Sequence, residues 1–487
     1  MVLALWLTRL GVRIQIIDRL AESGTTSRAL AVQGRTLEFY QQIGLAQAVM
    51  ARCHKVAALN LWVKSAPAAR VPLATMGAGL TPYPNPVIFP QDEHERFLIE
   101  RLREAGVEVE RTLELIGFED DGRGIRAALR RDGSEETREY AYIAGCDGAR
   151  SRVREVLGTG FPGGTYDHLF YVADVEAAGP PMNGELHVDL DDADFLAVFP
   201  LKDSGHARLI GSVRDSAAKD HEHLQFEDVQ DRAIQNLKIE VRRVNWFSTY
   251  RVHHRVAQSF RKGRAFLLGD AAHIHSPVGG QGMNTGIGDA VNLAWKLAAA
   301  LKNPAAASLL DSYGPERIAF ARRLVATTDR VFAGVLNPDA LARFVRTKIV
   351  PVLIPALFRF SGLRRLAFRT VSQIAVNYRG SILSCGAAGK VHGGDRLPWV
   401  DDNFESLTSL AWQVHVYGAA TPGMRTWCDE NHLALQVFPW KSAMRKAGFR
   451  RDAVYLVRPD GYVALADASA GTAAISRYFS ERNIEAA

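Results

Sequence analysis

The sequence is poor in cysteine, and its four cysteines lie far apart. Cys53, Cys146, Cys385 and Cys428 form no CxxC pair and no Cys/His spacing of the kind that binds zinc. This scarcity argues against a disulfide framework and fits a reducing compartment. We therefore expect a cytoplasmic protein without structural disulfides and without a bound metal.

Long uncharged apolar runs and strongly basic tracts are also missing. The closest approach to a membrane span, IVPVLIPALF, is short and contains two prolines, whereas a spanning helix needs about 20 apolar residues. The apolar opening has no basic n-region and no cleavage site of small residues. The net charge of +6 is small for 487 residues, and the arginines are spread out, with only a looser cluster between Arg343 and Arg369. These absences argue against membrane and nucleic-acid partners.

The length and the hydrophobic pattern indicate several domains of mixed α/β structure. A chain of 487 residues is too long for one hydrophobic core. Helix and strand patterns alternate at first, a period-2 pattern predicts a β-rich segment, and a long helix is predicted from about Gly286 to Leu301. Turns between strands are predicted at Asp121-Gly122, Asp132-Gly133 and Pro459-Asp460-Gly461. The predicted units are 1–160 with an excursion into the β-rich domain near 55–88, 161–262, 263–330, a helical connector 331–377, and a compact α/β unit 378–487.

The most informative stretch is RAFLLGDAAHIHSPVGGQGMNTGIGDAVNLAWKLAAAL, residues 264–301. A buried strand would end at Gly269 and Asp270, and open α/β sheets bind ligands at the carboxyl ends of their strands. The first amides of the following helix, near Asn284, could hold negative charge. The glycines of the loop would let the backbone approach a flat or anionic ligand closely: Gly279, Gly280 and Gly282. A glycine-rich turn without a ligand is the alternative for the Gly-Asp pair alone.

Four stretches, in order, resemble the motifs of the FAD-dependent aromatic hydroxylases, the single-component (class A) flavoprotein monooxygenases. The stretch 264–301 resembles their second flavin-binding motif, and GCDGARSRVR (145–154) resembles their third. SRALAVQGRTLEFYQQIGL (27–45) resembles the segment after their second strand, and FPQDEHERFLIERL (89–102) resembles the helix that begins at a flavin-contacting glutamine. The resemblance runs nearly end to end. It implies a Rossmann-like FAD-binding domain interleaved with a β-sheet substrate domain.

The terminal unit resembles the thioredoxin-like C-terminal domain of the phenol, hydroxyphenylpropionate, polyketide and rifampicin hydroxylases. Thioredoxin chemistry needs paired thiols of lowered pKa, and Cys385 and Cys428 do not form such a pair. We expect this unit to be structural, and a homodimer through it is one arrangement left open.

The start of the chain departs from the family pattern. Residues 2–10 predict a helix, Gly11 a turn, and Val12 to Ile17 a strand that ends on Asp18. The family's first strand and its GxGxxG, which opens that helix and binds the pyrophosphate, are absent. We expect Met1 to be an internal methionine and the natural protein to be longer by about 15 to 25 residues. The alternative is a truncated fragment with impaired FAD binding and no activity.

The resemblance assigns roles residue by residue. Asp18 would bind the adenosine ribose, Arg28 and Arg35 would lie beside the flavin and its phosphates, and Gln91 would contact the ribityl chain. Asp147 would lie near the pyrophosphate and the nicotinamide route. The loop from residue 277 would pass along the reactive edge of the isoalloxazine. The further residues expected at the cofactor are Gly269, Asp270, Pro277, Gly279, Gly280, Gly282, Met283 and Asn284.

The implied reaction is hydroxylation of an aromatic substrate, phenolic or polyketide, with NAD(P)H and O2 through a flavin C4a-hydroperoxide. FAD is the bound cofactor, and NAD(P)H is a transient co-substrate, because no separate nicotinamide-binding motif is present. Phe195 and Phe199 are expected in the pocket wall, with ordinary sheet core as the alternative. His273 and His275 lie in the flavin loop, but no catalytic base is assigned. A Baeyer–Villiger or epoxidising oxygenase of the same fold remains open.

Overall fold

The computed structural model describes residues 1–24, 29–190, 195–213, 224–229, 232–276, 279–336, 339–469 and 471–484. Its first 157 residues alternate short strands and helices. The helices of this part are α1 (Val2–Arg9), α2 (Gly34–Gln42), α3 (Ala46–Arg52), α4 (Gln91–Glu104) and α5 (Arg152–Leu157). The strands are β1 (Ile16–Ile17), β2 (Ala31–Val32), β3 (His54–Lys55), β4 (Ala58–Val63), β5 (Ala66–Pro72), β6 (Val87–Ile88), β7 (Val109–Glu110), β8 (Glu114–Asp120), β9 (Ile125–Arg131), β10 (Ser134–Tyr140) and β11 (Ile143–Gly145).

Strand β1 is shorter than the sequence pattern predicts. The pattern indicated a strand from Val12 to Ile17, but only Ile16 and Ile17 have strand partners, in parallel with Val109 and Glu110 of β7. Apolar character alone does not make a strand, because each residue also needs a neighbouring chain for its backbone hydrogen bonds.

A large, mostly antiparallel sheet dominates the middle of the chain. Its part of the sequence contains α6 (Arg232–Asn236) and the strands β12 (Gly163–Ala178), β13 (Leu186–Asp189), β14 (Leu196–Pro200), β15 (His206–Val213), β16 (Glu240–Val256), β17 (Arg261–Lys262), β18 (Ala265–Leu267) and β19 (His273–Ile274). The eight strands follow the order β19-β16-β12-β15-β14-β13-β4-β5, so β4 and β5 join it from the earlier segment. Of the described strand pairs in this sheet, only β13 and β4 are parallel. Alternate residues of β12 face opposite cores, with Tyr171 on one side and Val172 on the other.

A run of helices follows the sheet. It consists of α7 (Gly282–Lys302), α8 (Tyr313–Leu336), α9 (Ala340–Phe344), α10 (Val350–Arg359) and α11 (Ser361–Val371), with one turn of π-helix between α9 and α10. Helix α7 starts four residues before the predicted Gly286, because the backbone of Thr285 already donates to Gln281. None of the described helices is long and apolar enough to cross a membrane.

The C-terminal unit has a six-stranded mixed sheet with helices. Its helices are α12 (Pro422–Glu430), α13 (Ser442–Ala447) and α14 (Thr472–Arg482), and its strands are β20 (Cys385–Ala388), β21 (Val391–His392), β22 (Gln413–Tyr417), β23 (Ala434–Phe438), β24 (Val454–Val457) and β25 (Val463–Asp467). The order is β21-β20-β25-β24-β22-β23, with β22 and β23 parallel and β24 antiparallel to both β22 and β25. The predicted hairpin at Pro459-Asp460-Gly461 is the β24–β25 turn.

Two buried ionic clusters join this unit to the rest of the chain. In the Glu316 cluster, the carboxylate of Glu316 on α8 accepts from Lys296 at 2.8 Å and from Arg458 at 2.8 Å, and Arg458 also donates to Asp460 at 2.6 Å. All four side chains are at most 1 % exposed. Burial alone would raise the pKa of Glu316, but Arg458 and Lys296 outweigh it and hold the pKa below its usual range.

The second cluster, the Glu38 cluster, centres on helix α2. Glu38 accepts from Arg35 at 2.8 Å, from Arg396 at 2.8 Å and from Thr81 at 2.6 Å. Arg35 also donates to the backbone carbonyl of Asp460 at 2.9 Å, so both clusters reach the same turn of the C-terminal unit. Buried charges of this kind persist only when each has partners.

One buried histidine makes the fold sensitive to acid. His94 on α4 is 2 % exposed, its Nε2 lies 2.8 Å from the Tyr40 hydroxyl, and burial lowers its pKa to about 4. In an unfolded chain the pKa is about 6.5, so the unfolded state binds the proton first and stability falls as the pH drops from about 6.5 to about 4. We expect His94 to account for about 3 kcal/mol of that loss. Urea unfolding of wild type and His94→Gln across this range tests it, and profiles of equal slope would contradict it.

Candidate functional site

A loop before helix α7 packs closely against the segment 29–36. Gly279 and Gly280 have φ angles of +77° and +59°, which favour glycine. A Cβ atom on Gly280 would lie 2.7 Å from the Cβ of Ala31. The loop therefore needs glycine at position 280 both for its backbone conformation and for its contact with β2.

Asn284, in the first turn of α7, fixes this loop to the segment 29–36. Its Nδ2 donates to the carbonyls of Ala31 and Gly280, each at 2.9 Å. Its Oδ1 accepts from the backbone amide of Gln33 at 2.9 Å and from the Thr36 hydroxyl at 2.7 Å. A single buried side chain thus uses both of its ends to join two segments about 250 residues apart in sequence. Gln33, which the sequence reading did not single out, adds a bond from its side chain to the Gly279 carbonyl at 3.0 Å.

Gln91 lies at the other side of the same segment. Its backbone amide donates to the Ala29 carbonyl at 3.0 Å, and its side-chain oxygen accepts from the Ala29 amide at 3.3 Å. The segment 29–36 therefore lies between Gln91 and the loop before α7, so three of the four sequence motifs meet here. Arg28 and Pro277 fall outside the described residues.

The three predicted aspartates follow strands. Strands β11 and β18 are parallel, with Gly145 opposite Leu267, so Asp147 and Asp270 follow the carboxyl ends of neighbouring strands at one edge of the sheet. Both are exposed, and Asp147 accepts from the Val153 amide at 3.1 Å. Asp18 follows β1 and pairs with Arg111 at 3.0 Å.

A buried carboxylate that the sequence reading missed supports the turn at Gly269. Asp289 on α7 accepts from the Gly269 amide at 3.0 Å, from His273 at 2.7 Å and from Arg317 at 2.6 Å. Burial would raise the pKa of Asp289, but Arg317 and His273 outweigh it and lower the pKa. The sequence signal that could have found Asp289 is a carboxylate beside the apolar positions of a buried helix face. A carboxylate buried there requires charged partners.

The two loop histidines differ in their surroundings. His273 is 2 % exposed and bonded to Asp289, an arrangement that orients the loop. For His275, burial lowers the pKa to about 4, and Nδ1 lies 2.7 Å from the Ser276 carbonyl. The Nε2 of His275 has no hydrogen-bond partner among the described residues and lies 3.6 Å from the place of a Cβ on Gly282.

The side chain of Arg35 contacts helix α2 and the C-terminal unit. Its guanidinium donates to Glu38 and to the C-terminal unit, and it stacks over the rings of Phe39 and Tyr462 at 4.1 and 4.8 Å. The side chain is buried. Its observed contacts are therefore those of an inter-unit link, and the assignment to the flavin stays a prediction.

The large sheet presents an aromatic face to the segment 29–36. Phe195 and Phe199 are half-buried and belong to an apolar cluster that includes Leu30 and Ala31. Trp246 and Tyr250 belong to the same cluster. Because Ala31 also abuts Gly280, the glycine loop and this aromatic face border the same apolar cluster.

The chemistry of the site fits a flat, anionic cofactor such as FAD. The first amides of α7 have no partner inside the helix, and the helix dipole gives them positive character. The glycines before them place no side chain between these amides and an approaching ligand. A Cβ on Gly282 would lie 3.6 Å from the Nε2 of His275, which has no hydrogen-bond partner among the described residues, so glycine at this position leaves that space open.

Comparison with known proteins agrees with this geometry. Residues 1–328 match the family described as FAD binding domain. The chain is 32% identical to 6-methylpretetramide 4-monooxygenase of Streptomyces rimosus over 96% of this chain and 89% of that protein. It is 30% identical to pentachlorophenol 4-monooxygenase of Sphingobium chlorophenolicum over 80% of this chain and 72% of that one. Among solved structures, OxyS anhydrotetracycline hydroxylase from Streptomyces rimosus superposes with a TM-score of 0.79 at 27% identity, covering 100% of this chain and 96% of OxyS. The chain belongs to the FAD-dependent aromatic monooxygenases.

Proposed function

We propose that this enzyme hydroxylates a phenolic or polyketide aromatic substrate with NAD(P)H and O2, on FAD held by the loop before α7, the segment 29–36 and Gln91. The observation that carries the proposal is the position of Ala31, which abuts the glycine loop and packs against the same apolar cluster as the residues of the aromatic face of the sheet. A flat substrate on that face would lie next to the cofactor.

Different residues of this chain would bind the cofactor and hold the substrate. When bound, FAD supplies hydride acceptance and oxygen activation. Asp18 would bind the ribose, Asp147 and Asp270 would accept hydrogen bonds from the polar chain, and the α7 amides would face the negative charge. Phe195 and Phe199 would hold the ring of the substrate and exclude water.

NAD(P)H would bind transiently near Asp147, and Arg28 would contact the flavin phosphates.

We assign 1–160 and 263–330 to the FAD domain, 161–262 to the substrate domain, 331–377 to a helical connector and 378–487 to a thioredoxin-like structural unit. Its strand order β25-β24-β22-β23, with β22 and β23 parallel, supports the last assignment.

Oxygen labelling tests the reaction. With FAD, NAD(P)H, labelled O2 and a panel of phenolic and polyketide aromatics, we expect one labelled atom in a new ring hydroxyl and NAD(P)H oxidation that the substrate stimulates. Phe199→Ala should raise KM about tenfold, because a buried aromatic contact is lost. The matched control is Phe247→Ala, a half-buried phenylalanine on the opposite face of the same sheet.

Three results would contradict the proposal. Label in a lactone or an epoxide would favour the Baeyer–Villiger or epoxidising alternative. Failure of the FAD-loaded enzyme to oxidise NAD(P)H with any of these aromatics would exclude the hydroxylase reaction for this class. Equal effects of the two phenylalanine variants on KM would remove Phe199 from the pocket.

A further inference from the structure

The helices α9 to α11 form a surface that is both apolar and basic. Ten large apolar side chains between Leu341 and Val371 are exposed by 37 to 74 %, among them Val352, Phe360 and Leu366. Monomeric proteins rarely expose contiguous apolar patches larger than a few hundred Å², and larger patches mark interaction sites. Ten exposed apolar side chains within about 30 residues therefore point to a partner surface. We call the surface of residues 340–371 the α9–α11 face.

The charge of the α9–α11 face has one sign. Residues 340–371 contain seven arginines and lysines and no aspartate or glutamate. The charge of this segment therefore exceeds the net charge of +6 of the whole chain. Five of these cations are exposed: Arg343, Lys348, Arg359, Arg365 and Arg369. The helices are anchored from behind, since Phe368 is buried against Met76 and Ile374. The helices are therefore packed against the rest of the protein, and their outer apolar side chains are exposed even so.

We propose that the α9–α11 face docks on the surface of an anionic phospholipid bilayer. Amphipathic helices that combine exposed Leu and Phe with Arg and Lys lie in the interface, where the apolar side chains enter the acyl boundary and the cations meet the headgroups. A second copy of this chain is a poorer occupant, because a two-fold axis would bring like cations together. This inference departs from the sequence expectation of no membrane partner, and it does not depend on the proposed reaction.

Flotation with lipid vesicles tests the docking. We expect the FAD-loaded chain to float with vesicles of equal parts phosphatidylglycerol and phosphatidylcholine, to float poorly with phosphatidylcholine alone, and to be released by high salt. The variant Arg359→Gln/Arg365→Gln/Arg369→Gln should lower the partition constant about hundredfold, at about fivefold for each charge. The matched control is Arg425→Gln/Arg450→Gln/Arg477→Gln, three exposed arginines of the C-terminal unit.

The apolar contribution is tested separately. Val352→Ser/Leu366→Ser should lower binding about tenfold per side chain, whereas Ile382→Ser, an equally exposed residue outside the face, should leave it unchanged. Equal flotation with and without phosphatidylglycerol, or no flotation at all, would overturn the proposal. A wild-type dimer that Val352→Ser/Leu366→Ser converts to a monomer, without vesicle binding, would overturn it in favour of an interface between copies.

Discussion

Glu316→Ala is expected to lower the free energy of unfolding by about 3 to 5 kcal/mol, because it leaves two buried cations without their shared carboxylate. Lys296 and Arg458 are 0 % exposed, and among the described residues Asp460 would be the one ion-pair partner left to Arg458. Lys296 lies on α7 and Glu316 on α8, whereas Arg458 belongs to the C-terminal unit. The loss of stability should therefore be largest where these two helices meet the C-terminal unit. Urea unfolding at neutral pH, with limited proteolysis near the Arg458 turn, measures it.

The matched control removes a carboxylate from an exposed ion pair in the C-terminal unit. Asp401 and Lys441 lie 2.7 Å apart with side chains 39 and 58 % exposed, and such pairs contribute at most about 1 kcal/mol. Asp401→Ala should therefore change the unfolding midpoint little. If Glu316→Ala and Asp401→Ala destabilised the protein equally, the Glu316 cluster would not link the two parts energetically.

Asn284→Ala is expected to weaken FAD binding about hundredfold. The substitution removes three hydrogen bonds to the segment 29–36 and one to the Gly280 carbonyl of the loop itself. It leaves the Gln33 amide and the Ala31 carbonyl without this partner. FAD binding would then also have to order the loop, and the free energy needed for this would weaken the binding. Equilibrium titration followed by flavin fluorescence measures the dissociation constant.

A second asparagine at the other end of α7 provides the control. Asn303 accepts from the Ala305 amide at 2.9 Å, a capping bond that contributes about 1 kcal/mol to stability. Asn303→Ala should destabilise the fold slightly and leave the FAD affinity as it is. Equal FAD affinities of wild type and Asn284→Ala would show that Asn284 does not organise the cofactor site.

The strand end, glycine loop and helix start around residues 264–301 were predictable because their signal is local. A strand end, a glycine-rich loop and a helix start occur within about 20 residues of one another, and each has its own residue preferences. The hairpins at Gly122, Gly133 and Gly461 were predictable for the same reason, and the structure confirms them.

Long-range pairing explains what the sequence did not reveal. In the sequence, Arg35 resembles a surface or ligand-binding arginine, because the carbonyl that it bonds, that of Asp460, lies 425 positions away. Asp289 lies within a quoted motif, but its importance appears only once His273, Arg317 and Gly269 surround it. The exposure of the α9–α11 face was likewise hidden, because an apolar helix pattern is the same whether the helix packs inward or outward.

The most direct test of the central claim is the binding of FAD to the purified chain. FAD is added, unbound flavin is removed by gel filtration, and the visible spectrum of the protein fraction is recorded. Our account predicts the absorption bands of bound flavin with a saturating stoichiometry of one FAD per chain. A cooperatively folded protein that stays colourless at every FAD concentration would contradict the assignment of the loop before α7, the segment 29–36 and Gln91 to the cofactor.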